Sequence, residues 1–210
     1  MKSQLLQFCL NRDLIPDEQF GFLPGRSTEW QLLSLTECFQ EAMEKGHNSH
    51  ALFLDVAKAL DWVEHKLLLA KLSAVGLDSS AVKWIASYLS SRQICTRVEG
   101  YTSSLSAISS GVQQGLVLGP LLFLLYFRDL PSSVECDSAM FADDSLLFGT
   151  HCETAGSGLC CSVAENLDNI KEWSCAWNVK FNAPKSADMV ISSRHWGQTP
   201  DSLIPKRSAH

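Results

Sequence analysis

Apolar positions along the chain alternate between helical and strand-like spacing. Residues 1–25 read as irregular or weakly helical: Leu5, Leu6, Phe8, Leu10 and Leu14 precede Pro16, and Gly21, Pro24 and Gly25 mark a loop. Thr28 followed by Gln31 resembles a capping box. Leu32, Leu35, Phe39 and Met43 then recur on one helical face until Gly46. Ala51-Leu52-Phe53-Leu54 is a continuous apolar run ending at Asp55, the form of a buried central strand. Helices are expected around Leu67, Leu68 and Leu72, and around Val82, Ile85 and Leu89, with Trp84 and Tyr88 as packing residues. Ile94 to Glu99 alternates like a half-exposed strand, which Gly100 turns toward a partner at Leu105 to Ser109. Pro120 suits the first position of a helix over Leu121 to Asp129. A long amphipathic helix through Leu159, Val163, Leu167, Ile170 and Trp177 follows. Two strands come next, Asn178 to Asn182 and Asp188 to Ser192, joined by a turn at Ala183 to Ser186. From Arg194 the chain is polar and is expected to be disordered, and no internal repeat is evident.

The stretch Met140-Phe141-Ala142-Asp143-Asp144-Ser145-Leu146-Leu147-Phe148 stands apart, because two adjacent carboxylates interrupt an apolar run. Its pattern predicts a hairpin with both acids at the tip. Two carboxylates in an apolar setting repel each other and resist desolvation unless a cation lies between them. Either the pair caps a surface turn, or it holds a divalent metal. Oxygen ligands without His or Cys favour Mg²⁺ or Mn²⁺ over zinc. Asp55 closes another apolar strand, so the three acids together suit a two-metal site for phosphoryl transfer. Arg26 sits beside a helix start, either as an exposed loop arginine or as part of an anion site. Gln114, between small residues, has the donor and acceptor to meet a base or sugar.

Composition narrows the classes. With 210 residues and 46% hydrophobic content, one globular domain or slightly more is expected. No secretory signal is recognised at Met1 to Leu10, and the longest apolar stretch, Leu116 to Phe127, contains Gly119-Pro120 and is too short for a bilayer. A soluble intracellular protein without a membrane partner is the expectation. The eight cysteines show no C-x-x-C pair and are expected to be reduced thiols. His151, Cys152, Cys160 and Cys161 match no usual zinc spacing. A net charge of −6 argues against gripping nucleic acid by bulk electrostatics alone, leaving local patches or parts outside the chain.

Phe53-Leu54-Asp55-Val56-Ala57-Lys58-Ala59-Leu60-Asp61 resembles motif A of LINE-type, non-long-terminal-repeat retrotransposon reverse transcriptases. Gly111 to Pro120 resembles their motif B, Phe141-Ala142-Asp143-Asp144 their motif C, and Asn182 to Ser186 their motif D. Gln19 to Thr28 is similar to the fingers segment upstream. The motifs keep the family's order and cover nearly all of residues 1–193. The resemblance implies an α+β polymerase palm, an antiparallel sheet packed against helices, with partial fingers over 1–49, palm over 50–193 and a tail over 194–210. The thumb is expected to be absent, and it or another chain becomes an implied partner.

The same resemblance implies an RNA-directed DNA polymerase that uses an RNA template, a DNA primer, dNTPs and two Mg²⁺ ions, with Mn²⁺ as substitute. Asp55, Asp143 and Asp144 would be catalytic and metal-holding, with the Val56 carbonyl as a further ligand. Lys185 would donate a proton or stabilise charge at the pyrophosphate. Arg26 and Lys58 would lie near the triphosphate, and Leu60, Gln114 and Gly115 at the nucleotide pocket. By family analogy the protein would act in the cytoplasm and nucleus. Several positions depart from the pattern. Leu60 replaces an aromatic that excludes a ribose 2′-hydroxyl, Gln113 and Leu116 replace a proline and a serine, and Leu23 and Trp62 replace basic residues. Two rivals remain from the residues: a decayed retroelement remnant acting as a non-catalytic binding module, and a palm-fold nucleotidyl cyclase, which gives the fingers loop and the Gly111 to Pro120 segment no place.

Overall fold

A computed structural model of the chain describes residues 2–113, 115, 117–152 and 158–192, without the side chains of 151–152 and 158–165. The expected tail over 194–210, Gln114, Leu116 and the cluster around Cys160 and Cys161 therefore lie outside the described residues or side chains. In chain order the elements are α1 (Lys2–Asn11), α2 (Thr28–Glu44), β1 (His47–Leu54), α3 (His65–Ala74) and α4 (Ser79–Leu89). Four short strands follow: β2 (Gln93–Ile94), β3 (Arg97–Val98), β4 (Tyr101–Thr102) and β5 (Ser106–Ala107). Then come α5 (Gly119–Phe127), β6 (Asp137–Phe141), β7 (Asp144–Cys152), α6 (Gly158–Ala176) and β8 (Ala187–Ile191).

These elements form two compact units that interleave along the chain. The first comprises residues 16–57, 129–176 and 180–210 and holds an antiparallel sheet of order β6-β7-β1-β8. Strand alternation puts residues of β1 on opposite faces. Leu52, Leu54 and Leu147 meet Leu167 and Ile170 of α6 on one face, while Ala51, Leu146 and Phe148 meet Leu35, Cys38 and Phe39 of α2 on the other. Phe39 contacts Phe148 edge-on, with ring centroids 5.5 Å apart. The sheet is thus covered on both faces along most of β1.

The second unit, residues 1–15, 58–128 and 177–179, is built around α5. Eight of that helix's nine residues are buried, as an all-round apolar helix requires. Lys71 of α3 is buried too; its ammonium donates to the Tyr126 carbonyl and lies 3.6 Å from the Trp177 ring centroid. The aromatic faces supply the negative potential that a buried ammonium needs. Tyr126 in turn donates its hydroxyl to the Trp177 carbonyl, tying residues 177–179 to α5.

Several expectations are corrected. Of the two readings of the N-terminus, irregular or weakly helical, the second applies to its ten-residue helix, α1. Ser27, not Thr28, caps α2: its hydroxyl accepts from Trp30 N at 3.3 Å, and Thr28 is the first helical residue. Leu32 is 63% exposed, because the inward stripe of α2 runs through Leu35, Cys38, Phe39 and Ala42. The strand expected over Ile94 to Glu99 breaks into β2, paired with β5, and β3, paired with β4, all of them exposed. Asn178 to Asn182 is no strand. Asn178 takes φ 51°, and the segment offers a bridge at Phe181 to Val56. β8 pairs instead with β1. Among the described residues no helix is long and apolar enough to cross a membrane, and Cys9, Cys38, Cys95, Cys136 and Cys175 are free thiols.

Substituting Ser27→Ala should cost about 1 kcal/mol of stability in urea unfolding, and Thr28→Ala much less. A larger loss in Thr28→Ala than in Ser27→Ala would return the cap to Thr28. Leu52→Ala, at a fully buried position of β1, should cost about 2–5 kcal/mol.

Candidate active site at the end of the central strands

β1 and β7 run antiparallel with Leu54 opposite Ser145. One step further the same register brings Asp55 opposite Asp144, and cross-strand neighbours of this kind have Cβ atoms roughly 5 Å apart. Both acids share the face of Leu146 and Phe148. At this end α2 no longer covers that face, since Phe53 is 42% exposed. The β6–β7 hairpin closes through Ala142 and Asp143, with Phe141 paired to Asp144. Asp143 therefore occupies the turn, and Asp144 is the first residue of β7 rather than part of the tip.

The Asp144 carboxyl is raised above its ordinary value of 3.8, first by partial desolvation and then by the charges of Asp143 and Asp55. The three acids thus share one electrostatic environment. Among the described residues no three His, Cys, Asp or Glu side chains converge into a ready-formed metal cage. The donor set fits a Mg²⁺-type site, in which one or two carboxylates are completed by water and phosphate oxygens.

The backbone adds an oxygen. Val56 forms an antiparallel bridge with Phe181, flanked by Ala57 N to Lys180 O at 2.9 Å and Asn182 N to Asp55 O at 2.8 Å. In such a pair the bridged residue points its own N–H and C=O away from its partner, here toward the β7 flank that carries the acids. Asp55 is held on its other side as well, because its N–H donates to Ser186 Oγ at 3.2 Å. Ser186 Oγ also donates to Asn182 O at 3.1 Å, and Lys185 N to the same carbonyl at 2.9 Å. Lys185 is exposed on this turn, which both main-chain groups of Asp55 anchor.

Ala142 takes φ 59°, a left-handed conformation that costs a residue with a Cβ about 1–2 kcal/mol. It is 6% exposed, and the side-chain amide of Gln19 meets its N–H at 2.8 Å and its C=O at 3.1 Å. Arg26 serves the same loop: its guanidinium donates to Asp17 O at 2.6 Å, Gln19 O at 2.7 Å and the Asp17 carboxylate at 2.7 Å. It lies over the Phe20 ring, 5.4 Å from the centroid. Arg26 is thus a loop staple in this structure.

The remaining sequence candidates belong to the other unit. Lys58 is exposed with φ 50°, and its carbonyl accepts from Asp61 N and Trp62 N. Leu60 is 7% exposed, and its carbonyl accepts from Val112 N at 2.7 Å. Gly111 N donates to Val63 O at 2.8 Å, so the segment after Lys58 is laced to the start of the glycine-rich loop. Gly111 has φ 90°, and a Cβ there would lie 2.9 Å from Asp61 O. Gly115 is exposed with φ 75°, and the Gln113 side chain accepts from Arg92. Gln19, Asn182 and Ser186 are the supporting residues that local sequence reading missed.

The family model described as Reverse transcriptase (RNA-dependent DNA polymerase) matches residues 1–203. The chain belongs to the reverse transcriptase family. The RNA-directed DNA polymerase from mobile element jockey of Drosophila melanogaster is 34% identical over 190 residues, covering 86% of this chain and 20% of that protein. The probable RNA-directed DNA polymerase from transposon X-element of the same organism is 33% identical over 186 residues, covering 85% and 20%. Telomerase from Candida Tropicalis, solved with a TWJ fragment of telomeric RNA, superposes with a TM-score of 0.64 at 11% identity, covering 97% of this chain and 36% of that one. At that identity the likeness is one of fold, and it agrees with the α+β, polymerase-like architecture. The chain spans about a fifth of the length of the curated relatives it matches. Reverse transcriptases generally use divalent metal ions, which suits the carboxylate set at the strand ends.

The sign of the Asp144 shift sets a pH test. A carboxyl raised in the folded state destabilises nothing below its unfolded pKa; its penalty grows as pH rises from there and is complete above the folded pKa. Asp144→Asn should therefore melt at a higher temperature than the unsubstituted chain at pH 7. The gap should close below about pH 3.8, where the acid is protonated in both states. Melting curves with no gap at pH 7 would remove the carboxylate crowding.

Proposed function

We propose that this chain is the palm, with part of the fingers, of a non-long-terminal-repeat retrotransposon reverse transcriptase, and that it adds dNTPs to a primer 3′-hydroxyl opposite an RNA template. The observation carrying this reading is the register that sets Asp55 opposite Asp144, beside Asp143, on an uncovered end of the sheet. Asp55 and Asp143 would hold two Mg²⁺ ions, with Asp144 and the Val56 carbonyl assisting. Bound there, the metal would lower the pKa of the primer hydroxyl for attack on the α-phosphate and neutralise the departing pyrophosphate. Ser186 and Asn182 keep Asp55 aligned through its main chain. Lys185, exposed on the same turn, would offer a proton or positive charge to the pyrophosphate.

Lys58, Gln114 and Gly115 are assigned by resemblance to the triphosphate and the nucleotide pocket. Leu60 would act through the backbone it braces, since its side chain is buried. Arg26 would act by holding the fingers loop unless substrate draws it from Asp17. The template, primer and any thumb outside this chain are partners of the same reading, with action on RNA in the cytoplasm and on DNA in the nucleus. Positioning supplies much of such catalysis, so the chain by itself should extend slowly.

Primer extension on an RNA template tests the proposal. Extension with dNTPs and Mg²⁺ should fall at least about a hundredfold in Asp143→Ala, Asp144→Ala and stop with a chelator, because loss of metal-borne charge stabilisation amounts to several kcal/mol. Failure by the unsubstituted chain at high enzyme concentration, with Mn²⁺ also tried, would favour a non-catalytic binding module. Product from a nucleoside triphosphate without primer would favour the cyclase.

A further inference from the structure

The turn that carries Asp143 is held from outside its own hairpin. Gln19 lies 123 residues away in sequence, is 1% exposed, and uses its whole amide: Oε1 accepts from Ala142 N at 2.8 Å and from Gly21 N at 2.7 Å, while Nε2 donates to Ala142 O at 3.1 Å. A carboxamide presents one acceptor and one donor in a plane, which matches the N–H and C=O of a single peptide residue. A carboxylate would lack the donor and a thioether both useful groups. The surrounding backbone repeats the attachment. Met140 N donates to Glu18 O and Phe20 N to Met140 O, each at 2.8 Å, in a parallel bridge between Gln19 and Met140.

Gly21 completes the seat. A Cβ added there would lie 2.2 Å from Ala142 N, so only a glycine lets the loop approach this closely. Arg26, donating to the carbonyls of Asp17 and Gln19, braces the loop as well. Ala142 occupies a left-handed conformation and is flanked on its C-terminal side by Asp143 and Asp144. Any relaxation of Ala142 redirects both carboxylates.

We propose that Gln19 is a positioning residue for the catalytic carboxylates: its amide fixes Ala142 in the conformation that aims Asp143 and Asp144, without touching substrate or metal. The inference rests on the reading of those acids as metal-holding. Gln19→Met, close in size but without the amide, removes the two hydrogen bonds to Ala142 together with the one from Gly21 N. Hydrogen exchange reads the clamp, as the ratio of Ala142 to Leu147 amide protection, and electron paramagnetic resonance of Mn²⁺ reads the site. Gln19→Met should lower the protection ratio at least about tenfold and weaken Mn²⁺ binding about 10–100-fold, the range for groups that orient metal ligands. Ile85→Ala, a core control in the other unit, should leave the ratio unchanged. Gly21→Ala should reproduce the Mn²⁺ loss by pushing on Ala142 directly, and serves if Gln19→Met does not fold. Unchanged protection in Gln19→Met overturns the clamp, and lost protection with unchanged Mn²⁺ affinity overturns the positioning role. Absence of Mn²⁺ binding in the unsubstituted chain overturns the metal-site reading and the positioning role with it, while the exchange ratio still decides whether the clamp exists.

Discussion

Repulsion among Asp55, Asp143 and Asp144 is the constraint to which the sheet unit answers. Three carboxylates at the ends of two adjacent strands are unfavourable in the absence of a cation, and the Asp144 carboxyl is raised first by partial desolvation and then by the charges of Asp143 and Asp55. Folding must therefore hold the acids against their mutual field. The register of β1 and β7 does most of this, because sliding by one residue would turn Asp144, Leu146 and Phe148 together to the other face, away from Asp55 and Ala51. Burial of Leu52, Leu54, Leu147 and Phe148 fixes that register from both sides of the sheet.

Hydrogen bonds from distant loops refine what packing leaves loose. Ser186 and Asn182 take the two main-chain groups of Asp55, and Gln19 takes those of Ala142. Each is a backbone anchor and uses none of the carboxylate oxygens. Such an arrangement suits a site whose ligands must exchange water for phosphate as a reaction proceeds. The same logic explains why Arg26 is directed inward: the loop that carries Gln19 has no helix or strand of its own, and the guanidinium ties its carbonyls together.

Much of this was legible in the sequence where chemistry sits at the end of an apolar run. Asp55 after Ala51–Leu54 and the acids after Met140-Phe141-Ala142 stand at strand ends, as the pattern implied. Their convergence was not legible locally, since pairing between residues 54 and 145 leaves no trace in either segment. Gln19 and Ser186 escaped for the same reason: each bonds backbone more than 120 residues away, and a lone Gln or Ser in a loop has no spacing to betray it. Leu32 was misassigned because α2 carries apolar residues on more than one face, and tertiary contact with Ala51 and Phe148 selected the Leu35–Phe39 stripe. Neighbouring Ser27 and Thr28 offer equivalent capping hydroxyls, and only the geometry separates them. At Asn178 to Asn182 the alternation was real, but a left-handed Asn178 and the bridge to Val56 gave the segment another use.

Titration of the Asp144 carboxyl by carbon-13 NMR, in the unsubstituted chain and in Asp55→Asn, measures the convergence of the acids most directly. Neutralising Asp55 should bring the Asp144 pKa down toward the ordinary carboxylate value, since a charge on the opposite strand is one of the causes that raise it. An Asp144 titration indifferent to Asp55 would mean that the two strands do not deliver their acids to one site.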